Sequence, residues 1–218
     1  ARFGPYDRMF HRMFAGENFA FETVRLSEGQ PLPDPAELDA VLVTGSSAGV
    51  YDTHYPWMEP LRAFIRAAYA TKTPMLGICF GHQIMADALG GDVRKSEKGW
   101  GLGRHVYEVR SRPPAIGGEL PEFAIACSHQ DQVIVAPEDA EVFLSSEFTP
   151  NAGLAYRNGA ALSLQPHPEF EDNYTIALAE MRRGKAPDAL IDAAIKSVER
   201  ASDSAEVAGY LAAFLRRA

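Results

Sequence analysis

Short apolar runs broken by turn residues recur along the chain, interleaved with segments of helical period. Pro74 to Ile78 is apolar throughout, as a strand buried on both faces is, and a helical stretch, Gln83 to Leu89, follows at once and ends at Gly90-Gly91. Leu38 to Thr44 has the same buried-strand character. Tyr6 to Ala15 predicts a helix with Met9, Phe10, Met13 and Phe14 on one stripe. Trp57, Leu61, Phe64, Ile65 and Ala68 recur at helical spacing and read as a packing stripe. Phe19 to Leu26 predicts a strand that ends in the turn-rich Ser27 to Pro35. Arg104 to Val109, Phe123 to Cys127, Val133 to Ala136, Glu141 to Ser146 and Gly153 to Arg157 are short strand candidates, spaced as an antiparallel, meander-like part of the sheet. Three helical stretches follow Glu169: Phe170 to Arg183, one carrying Leu190, Ile191, Ala194, Ile195 and Val198, and one carrying Val207, Tyr210, Leu211, Phe214 and Leu215. Asp203 with Glu206 three residues on predicts a capping box for the last. The pattern is that of an α/β chain with a helical C-terminal extension.

Two segments carry candidate chemistry. In Gly77-Ile78-Cys79-Phe80-Gly81, a cysteine stands between a strand and a helix, flanked by glycines. That is the layout of a nucleophile elbow, a sharp turn that exposes a reactive side chain. The turn needs residues without a Cβ at its close approaches. Backbone N–H groups at a helix start favour a thiolate there. Alone, the motif fits a buried core cysteine equally well. The second segment, Leu162-Ser163-Leu164-Gln165-Pro166-His167-Pro168-Glu169, is another apolar run, and it ends in His-x-Glu. On an extended strand end, residues two apart point the same way. Glu169 is therefore placed to orient His167, and His167 to take the proton of Cys79, which is the general logic of a triad. The other cysteine, Cys127, ends a strand with no glycine turn or helix after it and reads as a small buried hydrophobe.

G-I-C-F-G-H-Q with a downstream H-P-E resembles the class I (triad) glutamine amidotransferase family, in particular stand-alone members similar to the amidotransferase domain of GMP synthase. The likeness runs from about Phe3 to Phe170. It implies a flavodoxin-like open mixed sheet with helices on both faces, Cys79 as nucleophile, His167 as base and Glu169 as third member. It also places Val43-Thr44-Gly45-Ser46-Ser47 at the family's oxyanion loop, Ser128-His129-Gln130-Asp131 at a glutamine-contacting loop, and Gln83 at a substrate-side glutamine. The backbone N–H groups of Gly45 and Phe80 are the expected oxyanion donors. Asp131 is a candidate for the substrate ammonium by position and charge. The family begins with a short apolar strand, and residues 1–9 are not one. Lys95 to Gly103, a glycine-rich loop with Trp100, lacks the strand-before, helix-after context of a phosphate loop. In the resembling family it lies near the active site, so Trp100 either lines the mouth or covers a sheet edge.

Length and charge narrow the functions left. At 218 residues with 46% hydrophobic residues, the chain suits one α/β domain spanning 1–218, with 170–218 as its helical extension. A formal net charge of −8 argues against nucleic acid or an anionic membrane as the main partner. Two cysteines make no disulfide framework and suit a reducing cytoplasm. No signal peptide, membrane-spanning run, cofactor motif or metal-ligand spacing is read. Three readings remain. One is glutamine hydrolysis releasing ammonia to a separate synthetase subunit, with homo-oligomerisation open. Another is hydrolysis of γ-glutamyl peptides by the same triad. The third is a non-catalytic, DJ-1-like protein, against which the complete set Cys79, His167, Glu169 and Gln83 argues. Ser46-Ser47-Ala48-Gly49 is expected to be flexible, leaving the oxyanion hole unset until a partner docks.

Overall fold

The computed structural model describes residues 2–114 and 116–216; Ala1, Ala115, Arg217 and Ala218, including both ends of the expected domain, lie outside the described residues. In chain order the strands are β1 (Val41–Val43), β2 (Met75–Ile78), β3 (Asp92–Lys95), β4 (Gly101–Val109), β5 (Glu122–His129), β6 (Asp131–Val135), β7 (Ala140–Ser145), β8 (Gly153–Tyr156) and β9 (Ala161–Leu164). The helices are α1 (Asp7–Met13), α2 (Met58–Thr71), α3 (Phe80–Ala88), α4 (Asp172–Glu180), α5 (Asp188–Ser197) and α6 (Ser204–Leu215). Seven strands form one mixed sheet in the order β1-β2-β9-β8-β7-β4-β5, with β1, β2 and β9 parallel and the remaining pairs antiparallel.

Alternation along the strands sends residues to two cores. Met75 and Ala161 pack with Leu61, Ile65, Ile84 and Met85 of α2 and α3. Leu76, Ile78, Leu162 and Leu164 face the other way, onto Phe10 of α1 and Leu211 and Phe214 of α6. Both faces are thus covered, and β2 is buried at every position, as the unbroken apolar run requires. The C-terminal helices belong to the packing of the sheet. Gly103, at φ +84, lets α5 approach so closely that a Cβ there would lie 2.5 Å from the Ala194 carbonyl oxygen. Arg104, next to it, is buried; its guanidinium donates to the carbonyls of Val198 (2.9 Å) and Arg200 at the end of α5 and to the Asp172 carboxylate at the start of α4. A cation there satisfies carbonyls that the helix leaves free.

Several expected elements change. Phe19 to Leu26 is not a strand: Phe19 and Phe21 pack as an aromatic cluster on Phe14, and the segment ends in a 3₁₀ turn, Leu26–Glu28. Apolar alternation alone does not supply a neighbouring strand for the backbone to pair with. The segment around Val133 forms β6, which pairs antiparallel with the unexpected β3 in a separate two-stranded sheet, outside the meander. β4 begins at Gly101, inside the glycine-rich stretch. Trp100 packs against Leu102 and the residues of α4 and α5 around them, beneath the guanidinium of Arg182 at 4.1 Å. The capping box at α6 does not form, because the Asp203 carboxylate accepts the Ala124 N–H of β5 instead, at 2.7 Å.

Candidate active site

The parallel strands β1, β2 and β9 end side by side, with Val43 in register with Gly77 and Ile78 with Leu164. Gly45, Cys79 and His167 each follow one of these ends, at the carboxyl edge where open α/β sheets bind ligands. Cys79 itself takes the elbow strain, at φ 53° and ψ −102°, a region that costs a residue with a Cβ about 1–3 kcal/mol. Its N–H donates to the Leu164 carbonyl at 2.8 Å, so the turn is held by β9. The flanking glycines have ordinary φ and are needed for space. A Cβ on Gly81 would sit 1.9 Å from the Val43 carbonyl oxygen, and one on Gly77 would sit 2.5 Å from the Met85 sulfur. α3 begins directly at Phe80, three residues earlier than its period suggests, so the Phe80 N–H is among the helix donors with no intrahelical partner.

His167 and Glu169 are both buried, and His167 Nδ1 lies 2.6 Å from Glu169 Oε1. The His167 ring stacks on Phe170, with centroids 3.8 Å apart, and the backbone N–H of His167 donates to the Ala126 carbonyl at 2.8 Å. Burial works against a charged ring here. The Glu169 carboxylate, and after it the Cys79 sulfur, outweigh that and push His167 up to about 10. A buried carboxylate on one ring nitrogen thus favours the imidazolium form of His167. His167 Nε2 has no hydrogen-bond partner among the described residues; in unliganded sites the bond between a base and its nucleophile is often long or poorly aligned.

The loop after β1, the expected oxyanion loop, stands against this pair. A Cβ on Gly45 would come 2.6 Å from the Tyr6 hydroxyl and 3.2 Å from His167 Cε1, so glycine is required by close approach. The following run is tied down locally: Ala48 N–H donates to Ser46 Oγ at 3.1 Å and Gly49 N–H to Asp52 Oδ2 at 2.8 Å. That replaces the expected loose segment with one closed on its own side chains.

Of the other expected residues, Gln83 is buried and its Nε2 is committed to the Asp131 carbonyl at 2.9 Å and to Gln165 Oε1 at 3.1 Å. His129 is buried too, with Nδ1 3.1 Å from the Asp131 carbonyl and Nε2 3.5 Å from Thr149 Oγ1, and burial pushes it down to about 3. Ser128, Gln130 and Asp131 remain partly open to solvent. The Asp131 carboxylate accepts from the Tyr51 hydroxyl at 2.9 Å, which links the β5–β6 turn to the loop after β1. Cys127 is buried, and burial raises its thiol to about 12.

Two residues escaped the sequence reading. Tyr6 donates to Glu169 Oε1 at 2.7 Å, and Gln165 Nε2 lies 3.5 Å from Cys79 Sγ. Gln165 stood inside the quoted His-Pro-Glu segment, with nothing in its spacing to single it out. Tyr6 lies 163 residues from its partner, beyond any local pattern.

The glutamine amidotransferase class-I profile matches residues 6–175. The chain belongs to that family. The match takes in every residue placed above at the strand ends. Among amidotransferase-family relatives, one subunit of the glutamine-hydrolyzing GMP synthase of Ignicoccus hospitalis is 31% identical over 168 residues, covering 77% of this chain and 85% of that one. The Saccharomyces cerevisiae protein YLR126C is 35% identical over 136 residues, which is 61% of this chain; the chain spans only 53% of that relative's length. Gamma-glutamyl peptidase 5 of Arabidopsis thaliana is 28% identical over 176 residues, covering 77% of this chain and 69% of that one. The fold is shared with a crystal structure of a glutamine amido transferase from Methylobacillus flagellatus, with a TM-score of 0.80 over 96% of this chain and 88% of that one at 22% identity.

Proposed function

We propose that this chain hydrolyses the side-chain amide of glutamine through a γ-glutamyl thioester on Cys79 and releases ammonia to an acceptor enzyme on a separate polypeptide. The observation that carries the reading is the buried His167–Glu169 pair, 2.6 Å apart, at the same sheet edge as a cysteine in a strained elbow. The Cys79 thiolate attacks the side-chain carbonyl. The N–H groups of Phe80 and Gly45 meet the developing oxyanion. His167, as imidazolium, gives its proton to the departing ammonia, then takes one from the water that opens the thioester. Glu169 holds the ring's orientation and its charge throughout. The open side of Asp131 suits the substrate ammonium, and Gln83, Ser128, His129 and Gln130 shape the wall beside it. The likeness to a GMP synthase subunit supports a partner synthetase.

A second reading, hydrolysis of γ-glutamyl peptides with water as final acceptor, is favoured by the likeness to a gamma-glutamyl peptidase. The two part on one assay: ammonia release from glutamine beside glutamate release from γ-glutamyl dipeptides, by the purified chain with and without cell extract. Ammonia release that rises with extract supports the first. Fast dipeptide turnover with slow glutamine turnover moves the assignment to the second. In either case Cys79→Ser should abolish turnover, and Cys127→Ser should leave it within a small factor. A glutamine-like chloroketone should label Cys79, and an adduct on Cys127 would remove the basis of both.

A further inference from the structure

Behind the nucleophile, two buried glutamines form a relay whose polarity is fixed from its far end. The Asp131 carbonyl can only accept a hydrogen bond, so Gln83 must turn its NH₂ toward it. The second hydrogen of that NH₂ goes to Gln165, which must therefore present its oxygen. The NH₂ of Gln165 is left facing Cys79 Sγ at 3.5 Å. Turning either amide over sets donor against donor or oxygen against oxygen at a buried contact, which costs the full desolvation of the groups left unpaired. Gln165 has no freedom to drift, because it is wholly buried and its N–H is fixed to the Ala152 carbonyl at 2.8 Å.

We propose that Gln165 is a further catalytic residue, an uncharged amide donor that stabilises the Cys79 thiolate, and that Gln83 and the Asp131 carbonyl are the positioning groups that set its polarity. This rests on Cys79 being the nucleophile of the hydrolytic reading. The sulfur carries negative charge twice in that reaction, on attack and as the group expelled when water opens the thioester, and one donor serves both. His167 changes its protonation state between these steps, giving its proton to ammonia and then taking one from water, whereas the amide offers the same donor throughout. The relay also connects the sulfur to the β5–β6 turn: Asp131 offers its carbonyl inward to Gln83 and its carboxylate outward, so a ligand that pulls on this turn acts on the amide behind the nucleophile.

The test uses iodoacetamide on the full 218-residue chain, following alkylation of Cys79 against pH by peptide mass. Gln165→Met keeps the length and removes the donor. Gln165→Glu keeps the shape and puts oxygen toward sulfur. Gln83→Met leaves Gln165 intact but frees it to turn over. A hydrogen bond to a charged group typically supports about a tenfold change in equilibrium or more. The thiolate-to-thiol ratio at a given pH should therefore fall about tenfold in Gln165→Met, further in Gln165→Glu, and by a smaller factor in Gln83→Met. An unchanged alkylation midpoint in Gln165→Glu, with its thermal transition retained, would overturn the proposal even where the methionine variant fails to fold. A shift in both Gln165 variants with none in Gln83→Met would overturn the relay. Alkylation requires no turnover. A wild-type chain that releases neither ammonia nor glutamate counts against the hydrolytic reading, while a shift of about tenfold in the Gln165 variants relative to it still supports the donor.

Discussion

Glu169 Oε1 is shared by two donors, His167 Nδ1 at 2.6 Å and the Tyr6 hydroxyl at 2.7 Å. Burial, then the Glu169 charge, raises Tyr6 well above its usual range, so the phenol stays a donor. It draws charge from the carboxylate that His167 depends on. Opposite outcomes follow for two substitutions. In Tyr6→Phe the whole charge of Glu169 acts on the ring, so the alkaline limb of the pH–rate profile should move to higher pH. The ring also loses a brace on its partner, and kcat should fall by roughly tenfold, the size of one hydrogen bond to a charged group, with KM little changed. In Glu169→Gln the burial that opposes the imidazolium is left without its main counterweight, so the alkaline limb should move to lower pH and kcat should fall further without unfolding. Profiles that shift the same way in both would rule out this division of labour. The positions of Cys79, His167 and Glu169 were legible because each chemical group lies close behind a strand end. Tyr6 was not, since its role exists only once α1 is packed against β9.

The elbow shows what element packing demands of single positions. Gly81→Ala places a methyl 1.9 Å from the Val43 carbonyl, and that atom is strand backbone with no rotamer to yield. β1 must shift away from α3, at a cost of about 1–3 kcal/mol or more. Gly209 in α6 offers the control: a Cβ there meets nothing within 4 Å, so Gly209→Ala should stabilise the chain by about 0.5–1 kcal/mol through helix propensity. Urea titrations should show the midpoint falling for the first variant and rising for the second, with the slope unchanged in both; a neutral Gly81→Ala would mean that β1 is not held where the geometry puts it. The period of the chain identified the helices on both faces and the buried strands β2 and β9. It did not identify β3, because Asp92-Val93-Arg94-Lys95 has one buried residue and finds its partner, β6, only through the tertiary fold. Phe19 to Leu26 erred the other way, since aromatic packing on α1 mimics strand alternation. Asp203 was misread because β5 competes for its carboxylate, and a long-range donor outweighed the local cap.

Over the whole molecule, the buried histidines divide the pH axis. His82 ties α3 to the sheet, with Nδ1 2.8 Å from Ser163 Oγ and Nε2 3.0 Å from the Asn151 carbonyl. A neutral ring satisfies both contacts, donating from Nε2 and accepting at Nδ1. Burial holds His82 and His129 down to about 3, from an ordinary value of 6.5, and burial lowers His105 as well. Between about 3 and 6.5 the unfolded chain binds protons that the folded chain refuses, so their stability contribution is complete above 6.5 and is lost as pH falls through that window. His167 runs the other way: raised from 6.5 to about 10, it contributes fully below 6.5 and loses that contribution as pH rises toward 10. The two trends put the stability maximum contributed by these groups near pH 6.5, and the acid side steepens by roughly 1.4 kcal/mol per pH unit for each ring that must charge on unfolding. His82→Gln should take about one proton out of that acid slope and leave the alkaline slope intact, while His167→Gln should flatten the alkaline side and leave the acid side. Unfolding free energies from urea titrations across pH 4 to 9 measure both slopes on the same samples. An acid slope that survives His82→Gln in full would mean that the ring already carries its proton in the folded state, paired with a charge that none of its present contacts provides.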